Sequence, residues 1–163
     1  MKLKKYDISI LILINILISY LNMIYADNNH IIQIYSTYQT IDATINTITF
    51  NDHVILKYKN IKLHADTITI IYSQNNQHIS ALKVYGNPAI LHHTQKSGST
   101  ISAQALSMHY NITNNTITFT GNVYIKQFKN SIYSDHIKYE INQKKLQAIS
   151  IKNGDTNTIL SAK

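Results

Sequence analysis

The sequence lacks cysteine, arginine and tryptophan, and it has one proline and four glycines in 163 residues. The absence of cysteine excludes disulfides and thiol catalysis. The absence of arginine argues against nucleic-acid binding, which usually involves bidentate guanidinium contacts to phosphate or guanine. The lysines behind the net charge of +7 are scattered, as is typical of a solvated face. Scarce glycine also argues against a small closed barrel, which needs bends.

β-branched and aromatic residues dominate the rest of the chain, and apolar and polar residues alternate in several segments. Short polar breaks separate these segments, such as Asn51-Asp52, Lys59-Asn60, Asn87-Pro88, Asn114-Asn115 and Thr120-Gly121-Asn122. Asn and Gly in such breaks are typical of hairpin turns, because both tolerate positive φ. We therefore predict an all-β fold of about sixteen short antiparallel strands, arranged as a sandwich or jelly roll.

One hairpin phrase occurs twice, 69 positions apart. Residues 47–57 read Thr-Ile-Thr-Phe-Asn-Asp-His-Val-Ile-Leu-Lys, and residues 116–126 read Thr-Ile-Thr-Phe-Thr-Gly-Asn-Val-Tyr-Ile-Lys. Aligned without a gap, 47–71 and 116–140 share eight identities, which include Asp66/Asp135. A repeat made only of strand and turn predicts hairpin modules stacked side by side.

The first 26 residues have the layout of a secretory signal peptide. Lysines follow Met1, an apolar run extends from Ile8 to Ile18, and Ala26 precedes a polar segment. We predict cleavage after Ala26, with a single domain over residues 27–163 on the far side of a membrane. The alternative is an uncleaved anchor over 8–26, whose length approaches that of a bilayer span.

Residues with catalytic or metal-binding chemistry show no functional spacing. The candidates are His92-His93, His109 and His136, but adjacent histidines on a strand point to opposite faces. Asp66 and Asp135 occupy equivalent repeat positions, where a turn role is the simpler interpretation. No phosphate loop and no nucleophile–His–acid pattern is present. We therefore predict no enzyme, no metal and no cofactor.

Apolar side chains offer a more positive signal. They fall at alternating positions of successive predicted strands and comprise Ile32, Ile34, Phe50, Leu91, Tyr110, Ile112, Phe119 and Tyr124. These residues either fill an ordinary core or line a groove between two splayed sheets.

Several segments resemble the LptA (OstA-like) family of periplasmic lipopolysaccharide export proteins. Phe50-Asn51-Asp52-His53-Val54 and Phe119-Thr120-Gly121-Asn122-Val123 are similar to its repeated Phe-Thr-Gly-Asn-Val phrase. Tyr85-Gly86-Asn87-Pro88-Ala89 is similar to its Tyr-Gly-x-Pro-Ala segment. Further agreements are Ala65-Asp66, Met108-His109-Tyr110 and Gln147-Ala148-Ile149-Ser150. The resemblance runs from about Ile31 to Ser150, and its first copy departs from the pattern at Asn51-Asp52-His53.

The resemblance implies an open, twisted antiparallel β jelly roll that carries the lipid A acyl chains of lipopolysaccharide and bridges the inner and outer membranes. It implies LptC-type and LptD-type partners and head-to-tail self-association through edge strands. The residues that it implies for the lipid-binding groove are Ile32, Ile34, Leu91, Tyr110 and Ile112. With Phe50 and Phe119 from the apolar inventory, they form the predicted groove. Two alternatives stay open: an LptC-like membrane-anchored member of the same superfamily, and a structural β protein without a ligand.

Overall fold

A computed structural model describes residues 31–74, 78–150 and 155–160, so the predicted signal peptide lies outside the described residues. This part of the chain contains no helix, and therefore no helix with the length and hydropathy of a membrane span. Its ten strands are β1 Gln33–Tyr35, β2 Tyr38–Asp42, β3 Thr47–Tyr58, β4 Ile61–Tyr72, β5 Ile79–Thr94, β6 Thr100–Asn111, β7 Thr116–Gln127, β8 Asn130–Glu140, β9 Lys145–Ile149 and β10 Asn157–Ile159.

The strands form one antiparallel sheet in which the six long strands, β3 to β8, pair with their neighbours in sequence. Each edge is made of two short strands. The pair β1 and β2 lies along β3, and the pair β9 and β10 lies along β8. The sequence repeat coincides with the hairpins β3–β4 and β7–β8, and the bounds of β3 and β7 differ by the repeat offset of 69. The prediction of stacked hairpin modules is confirmed.

Every long strand carries a bulge, and the bulges lie side by side across the sheet. They occur at Asp52-His53, Asp66, Gly86-Asn87-Pro88, Leu106, Gly121-Asn122 and Asp135. A bulge bends its strand and increases the local twist. The aligned bulges therefore divide the sheet into two halves. Half I contains the strand segments that pair with β2 and β9, and half II contains those that pair with β1 and β10.

The bulges explain the number of strands. The polar breaks at Asn51-Asp52, Asn87-Pro88 and Thr120-Gly121-Asn122 lie within continuous strands instead of separating two strands. Residues with positive φ fit a bulge as well as a turn, so composition does not separate the two. Counting the two halves of each long strand separately, together with the four short strands, gives the predicted sixteen.

The two halves face each other across an apolar core. Ile68 and Ile137 lie on half I and are 0% exposed, while Leu56 and Leu63 on half II are also buried. Side chains on one face of an open, uncovered sheet stay accessible to water, so their burial requires that the halves cover one another. In the described part of the chain, Cα atoms of strands that are not sheet neighbours stay more than 8 Å apart, as expected for facing layers separated by side chains. This is the predicted all-β, open jelly-roll architecture.

Candidate functional site

Three rows of apolar side chains cross the inner face of the sheet from strand to strand. Row 1 on half I lies nearest the bulges and consists of Phe50, Ile68, Val84, Met108, Phe119, Ile137 and Ala148. Row 2, farther out on half I, consists of Ile41, Ile48, Ile70, Leu82, Tyr110, Ile117, Tyr139 and Leu146. Row 3 on half II consists of Ile34, Leu56, Leu63, Leu91, Ala103, Ile125 and Ile132. Strands lie about 4.8 Å apart, so each row is about 30 Å long.

Small side chains occupy the line along which the sheet folds. This fold line consists of Val54, Ala65, Ala89, Ala105, Val123 and Ser134, all of them buried. Ser134 is the polar member, and its hydroxyl donates to the Ile149 carbonyl at 2.8 Å. Small residues let the two halves approach closely at the bend. The floor is therefore narrow and fully packed.

Away from the fold line the packing loosens. Row 1 is mostly buried, whereas rows 2 and 3 are half-buried at most positions, including Leu82, Tyr110, Leu91 and Ile125. Half-buried apolar side chains on two facing surfaces mean that the halves splay apart toward the strand tips. The inner face is therefore a trough with a packed floor and apolar, partly open walls. The trough is defined by rows 1 to 3 and the fold line.

Both ends of the trough reach an edge of the sheet. Row 2 begins at Ile41 on β2, which is 67% exposed, and ends at Leu146 on β9, which is also exposed. Among the described residues, no strand pairs with the outer sides of β1, β2, β9 or β10. The trough is therefore continuous along the sheet and is not closed at either edge by a described strand.

The structure brings together five of the seven predicted groove residues on the inner face. Phe50 and Phe119 lie in row 1, Tyr110 in row 2, and Ile34 and Leu91 in row 3. Phe119 is 6% exposed and belongs to the packed floor. The Tyr110 hydroxyl donates to Asn115 at 3.3 Å, which satisfies its polar end at the β6–β7 turn.

Three other residues from the apolar inventory lie elsewhere. Ile32 precedes β1 and is exposed, and Ile112 lies in the β6–β7 turn, where its N–H donates to the Ser80 carbonyl at 2.9 Å. Tyr124 lies between the inward Val123 and Ile125, and it pairs with Gln104 and Tyr133 on the outer face. Its place among the inward residues was wrong. The two-residue bulge in β7 preserves the inward parity of Phe119, so alternation places Val123 and Ile125 inward and Tyr124 outward.

Most of the wall was missed at the level of the sequence. The missed inward residues include Ile48, Ile70, Leu82, Ile117, Leu56, Leu63, Ile125 and Ile132. Strict alternation within each strand half would have identified them. The bulges at Asp66, Gly86-Asn87-Pro88, Leu106 and Asp135 interrupt that signal in β4, β5, β6 and β8, because they reverse the inward parity in mid-strand. The two-residue bulges of β3 and β7 preserve the parity, so alternation from Phe50 and Phe119 was sufficient there.

The histidines and the repeated aspartates lie away from the trough or apart from one another. His92 faces out opposite Lys62, and His93 faces in opposite Ile61, as expected for neighbours on a strand. His136 Nδ1 lies 3.2 Å from the Thr120 hydroxyl on the outer face. Asp66 and Asp135 lie in bulges, not in turns as expected. No group of three His, Asp or Glu side chains close enough to hold a metal ion occurs within the described ranges.

Charged side chains of both halves lie on the outer face, such as Lys62 on half II and Lys138 on half I. Burial lowers the pKa of His64, and the charges of Lys62 and His92 lower it further. On half I the Lys138 ammonium donates to Glu140 at 2.7 Å and lowers the pKa of that carboxyl. Charged groups therefore lie outside the apolar trough.

A cleft of about 510 Å³ opens at the tip of half I, where β2 and β4 end and β3 begins. Ile41 and Ile48 of row 2 line it together with Tyr72 and Asp42. The cleft adjoins the half-I wall of the trough through Ile41 and Ile48.

Comparison with known proteins identifies the family. Residues 33–145 match the family described as LptA/(LptD N-terminal domain) LPS transport protein. The lipopolysaccharide export system protein LptA of Escherichia coli K12 is 31% identical over 134 residues, which cover 82% of this chain and 72% of that protein. The Haemophilus influenzae protein of the same name is 25% identical over 82% of this chain and 78% of its own length.

The fold has a solved counterpart. The crystal structure of LptH from Pseudomonas aeruginosa, described as the LptA-homologous periplasmic component of the lipopolysaccharide transport device, superposes with a TM-score of 0.72. The superposition covers 84% of this chain and 99% of LptH at 15% sequence identity. The family match spans most of the sheet, from β1 to the start of β9. This chain belongs to the LptA/(LptD N-terminal domain) family of LPS transport proteins.

Proposed function

We propose that this protein carries lipopolysaccharide across the periplasm, with the lipid A acyl chains held in the trough. The single observation that supports this most is the continuity of rows 1 to 3 from one edge of the sheet to the other. Burial of each acyl methylene stabilises the bound lipid by about 0.8 kcal/mol. An apolar surface about 30 Å long can therefore hold long acyl chains. Membership of the LPS transport family supports the same role, and the named relatives are export proteins, not enzymes.

Site-specific photo-crosslinking tests this function. A photoreactive residue at Leu91 faces the trough, and the same residue at His92 faces out from the next position of β5. We expect lipopolysaccharide to label the Leu91 protein and to leave the His92 protein almost unlabelled. Tyr110 and His109 on β6 provide a second matched pair. Equal labelling within both pairs would contradict a trough site, and a structural β protein without a ligand predicts no labelling at all.

We further infer that copies associate head to tail, so that one trough continues into the next. Among the strands that the structure describes, none pairs with the two outer edges, which carry the exposed apolar residues Ile41 on β2 and Ile159 on β10. Such edges pair by strand addition, and a contact between two different edges forms a chain that does not close. LptC-type and LptD-type proteins would pair with the free edges of the first and last copies in such a chain.

An edge charge tests this association. Lysine at an edge strand opposes pairing, so Ile41→Lys or Ile159→Lys should reduce the concentration-dependent mass measured by light scattering. Ile45→Lys, in the exposed β2–β3 turn, is the control for added charge. If Ile45→Lys also reduced association, the added charge and not the edge position would be the cause.

The periplasmic location is inferred from the signal-like residues 1–26 and from the description of LptH as a periplasmic component. Mass spectrometry of the protein purified from the periplasm should give a mature start at Asp27. A retained N-terminus would instead support the membrane-anchored alternative.

A further inference from the structure

Charge is distributed unevenly between the two halves of the sheet. The half-II segments 54–64, 89–104 and 123–134 contain six lysines and no Asp or Glu. On half I, lysines occur together with Asp42 and Glu140, and the bulge positions carry Asp52, Asp66 and Asp135. The half-II side of the trough is therefore a cationic region within a molecule of mixed charge.

Three of the six lysines lie in the three turns at the tip of half II. Lys59 belongs to the β3–β4 turn, Lys96 to the β5–β6 turn and Lys129 to the β7–β8 turn, and all three are exposed. These three lysines are called the basic rim. Consecutive turns are two strands apart, so the backbones of the rim are spaced by about 10 Å.

Hydrogen bonds fasten the three turns to one another. The Thr94 N–H donates to the Asn60 carbonyl at 3.0 Å, which joins β5 to the β3–β4 turn. The Gln127 amide donates to Gln95 Oε1 at 3.2 Å, which joins β7 to the β5–β6 turn, and the buried Ser99 hydroxyl donates to the same oxygen. The rim is thus a connected structure, not three independent loops.

The rim lies at the mouth of the trough. Each strand folds at its bulge, so the fold line closes one side of the trough and the strand tips flank the other. Tyr58 ends the inner face of β3 and packs against the core, and the Lys59 ammonium lies 5.7 Å from its ring centroid. The lysines therefore stand where a lipid held by its acyl chains would present its polar head group.

We propose that Lys59, Lys96 and Lys129 bind the phosphate groups on the sugar head group of the transported lipid while its acyl chains lie in the trough. This inference rests on the proposed function and adds to it a polar subsite. Ammonium groups bind phosphate oxygens through charge-assisted hydrogen bonds, which are stronger than neutral ones. Regular spacing along the rim offers successive phosphate positions as the lipid moves from strand to strand.

The test compares two lipids and two triple variants of the full-length mature protein. The lipids are bis-phosphorylated lipid A and the same lipid A with its phosphates removed. The rim variant is Lys59→Gln/Lys96→Gln/Lys129→Gln. The matched control is Lys57→Gln/Lys62→Gln/Lys126→Gln, which removes the same charge from the outer face of the same half.

We expect the rim variant to bind phosphorylated lipid A roughly tenfold more weakly and to bind dephosphorylated lipid A within about twofold of the unchanged protein. The control variant should lose less than about threefold, because its lysines contribute only long-range attraction. A third variant with arginine at the three rim positions should retain binding, since it keeps the charge.

The outcomes separate the rim from the trough. Equal weakening by the rim and control variants would overturn the subsite in favour of general attraction. If the unchanged protein binds both lipids equally and still crosslinks at Leu91, the rim proposal fails and the trough function stands. If neither lipid binds and Leu91 remains unlabelled, the proposed function fails, and the rim fails with it.

Discussion

The bulges of β3 and β7 occupy the same place in the two repeats and have the same backbone shape with different residues. In β3, Asp52 and His53 have φ of 64° and 53°, and in β7, Gly121 and Asn122 have φ of 82° and 49°. Left-handed conformations disfavour most side chains, and Asp is among the better-tolerated residues there. Asn51-Asp52-His53 is therefore not a different turn but a second sequence for one bulge.

The neighbours of the two bulges explain the different residues. β7 is an interior strand, and a Cβ on Gly121 would lie 2.8 Å from Leu106 Cδ1. β3 is flanked by the split edge of β1 and β2, and Asp52 there holds the link between them. Its carboxylate accepts from the Thr37 hydroxyl at 2.8 Å, and its carbonyl accepts from the Thr37 N–H at 3.0 Å. The bulge in the interior strand has no room for a side chain at Gly121. The bulge in β3 has room for Asp52, whose side chain accepts a hydrogen bond.

The largest expected effect tests what the copies share. Ile68 and Ile137 are equivalent by the repeat, and both are 0% exposed in row 1. Each change to alanine should lower the free energy of unfolding by about 3 kcal/mol, because it leaves a cavity in the packed floor. Urea denaturation measures both values. A difference of more than about 1.5 kcal/mol between them would contradict an equivalent floor, and Ile45→Ala in an exposed turn serves as the control.

The next prediction concerns the bulges, where the two repeats have different residues, and it exchanges those residues. Gly121→Asp should destabilise the protein by about 2 to 3 kcal/mol, because the new side chain meets Leu106 and the left-handed backbone is strained. Asp52→Gly should change the unfolding midpoint much less, because Asp52 is exposed and glycine suits its φ.

A rescue variant identifies the cause. Adding Leu106→Ala to Gly121→Asp removes the side chain that the new Cβ meets, and it should restore part of the loss in urea denaturation. No recovery would attribute the cost to backbone strain alone. Equal effects of the two exchanges would contradict the distinction between interior and edge.

The bulges also determine how much of the structure could be predicted from the sequence. The all-β class, the hairpin repeat and the turns at Lys59-Asn60 and Asn114-Asn115 follow from composition and turn chemistry, and the structure confirms them. The sequence does not distinguish a turn at Thr120-Gly121-Asn122 from a bulge, because both need positive φ. The difference lies in pairing with β6 and β8, which is a long-range property.

The candidate site was predictable in kind but not in extent. Phe50, Leu91 and Tyr110 lie on the inner face as predicted, since alternation holds within each strand half. Tyr124 lies on the outer face, because alternation from the inward Phe119 continues unchanged through the two-residue bulge. The proposal for the basic rim required knowledge of which turns are neighbours, and that follows only from the order of strands in the sheet.

The smallest expected effect is the contribution of the Asp52 side chain at the edge bulge. The hydrogen bond from Thr37 lowers the pKa of Asp52 below its ordinary 3.8, and the hydrogen bond from His53 lowers it further. A carboxyl whose pKa is depressed by folding stabilises the protein above its ordinary pKa, and this contribution disappears as the pH falls through the folded value.

Thr37→Val removes the largest cause of the lowered pKa, so an NMR titration of Asp52 should show its pKa rising toward the ordinary value. The Asp52→Asn protein should accordingly lose less stability on acidification than the unchanged protein. An unaltered titration in Thr37→Val would show that the side chain does not hold the β1–β2 link, and the two bulges would then differ only in the room beside Gly121.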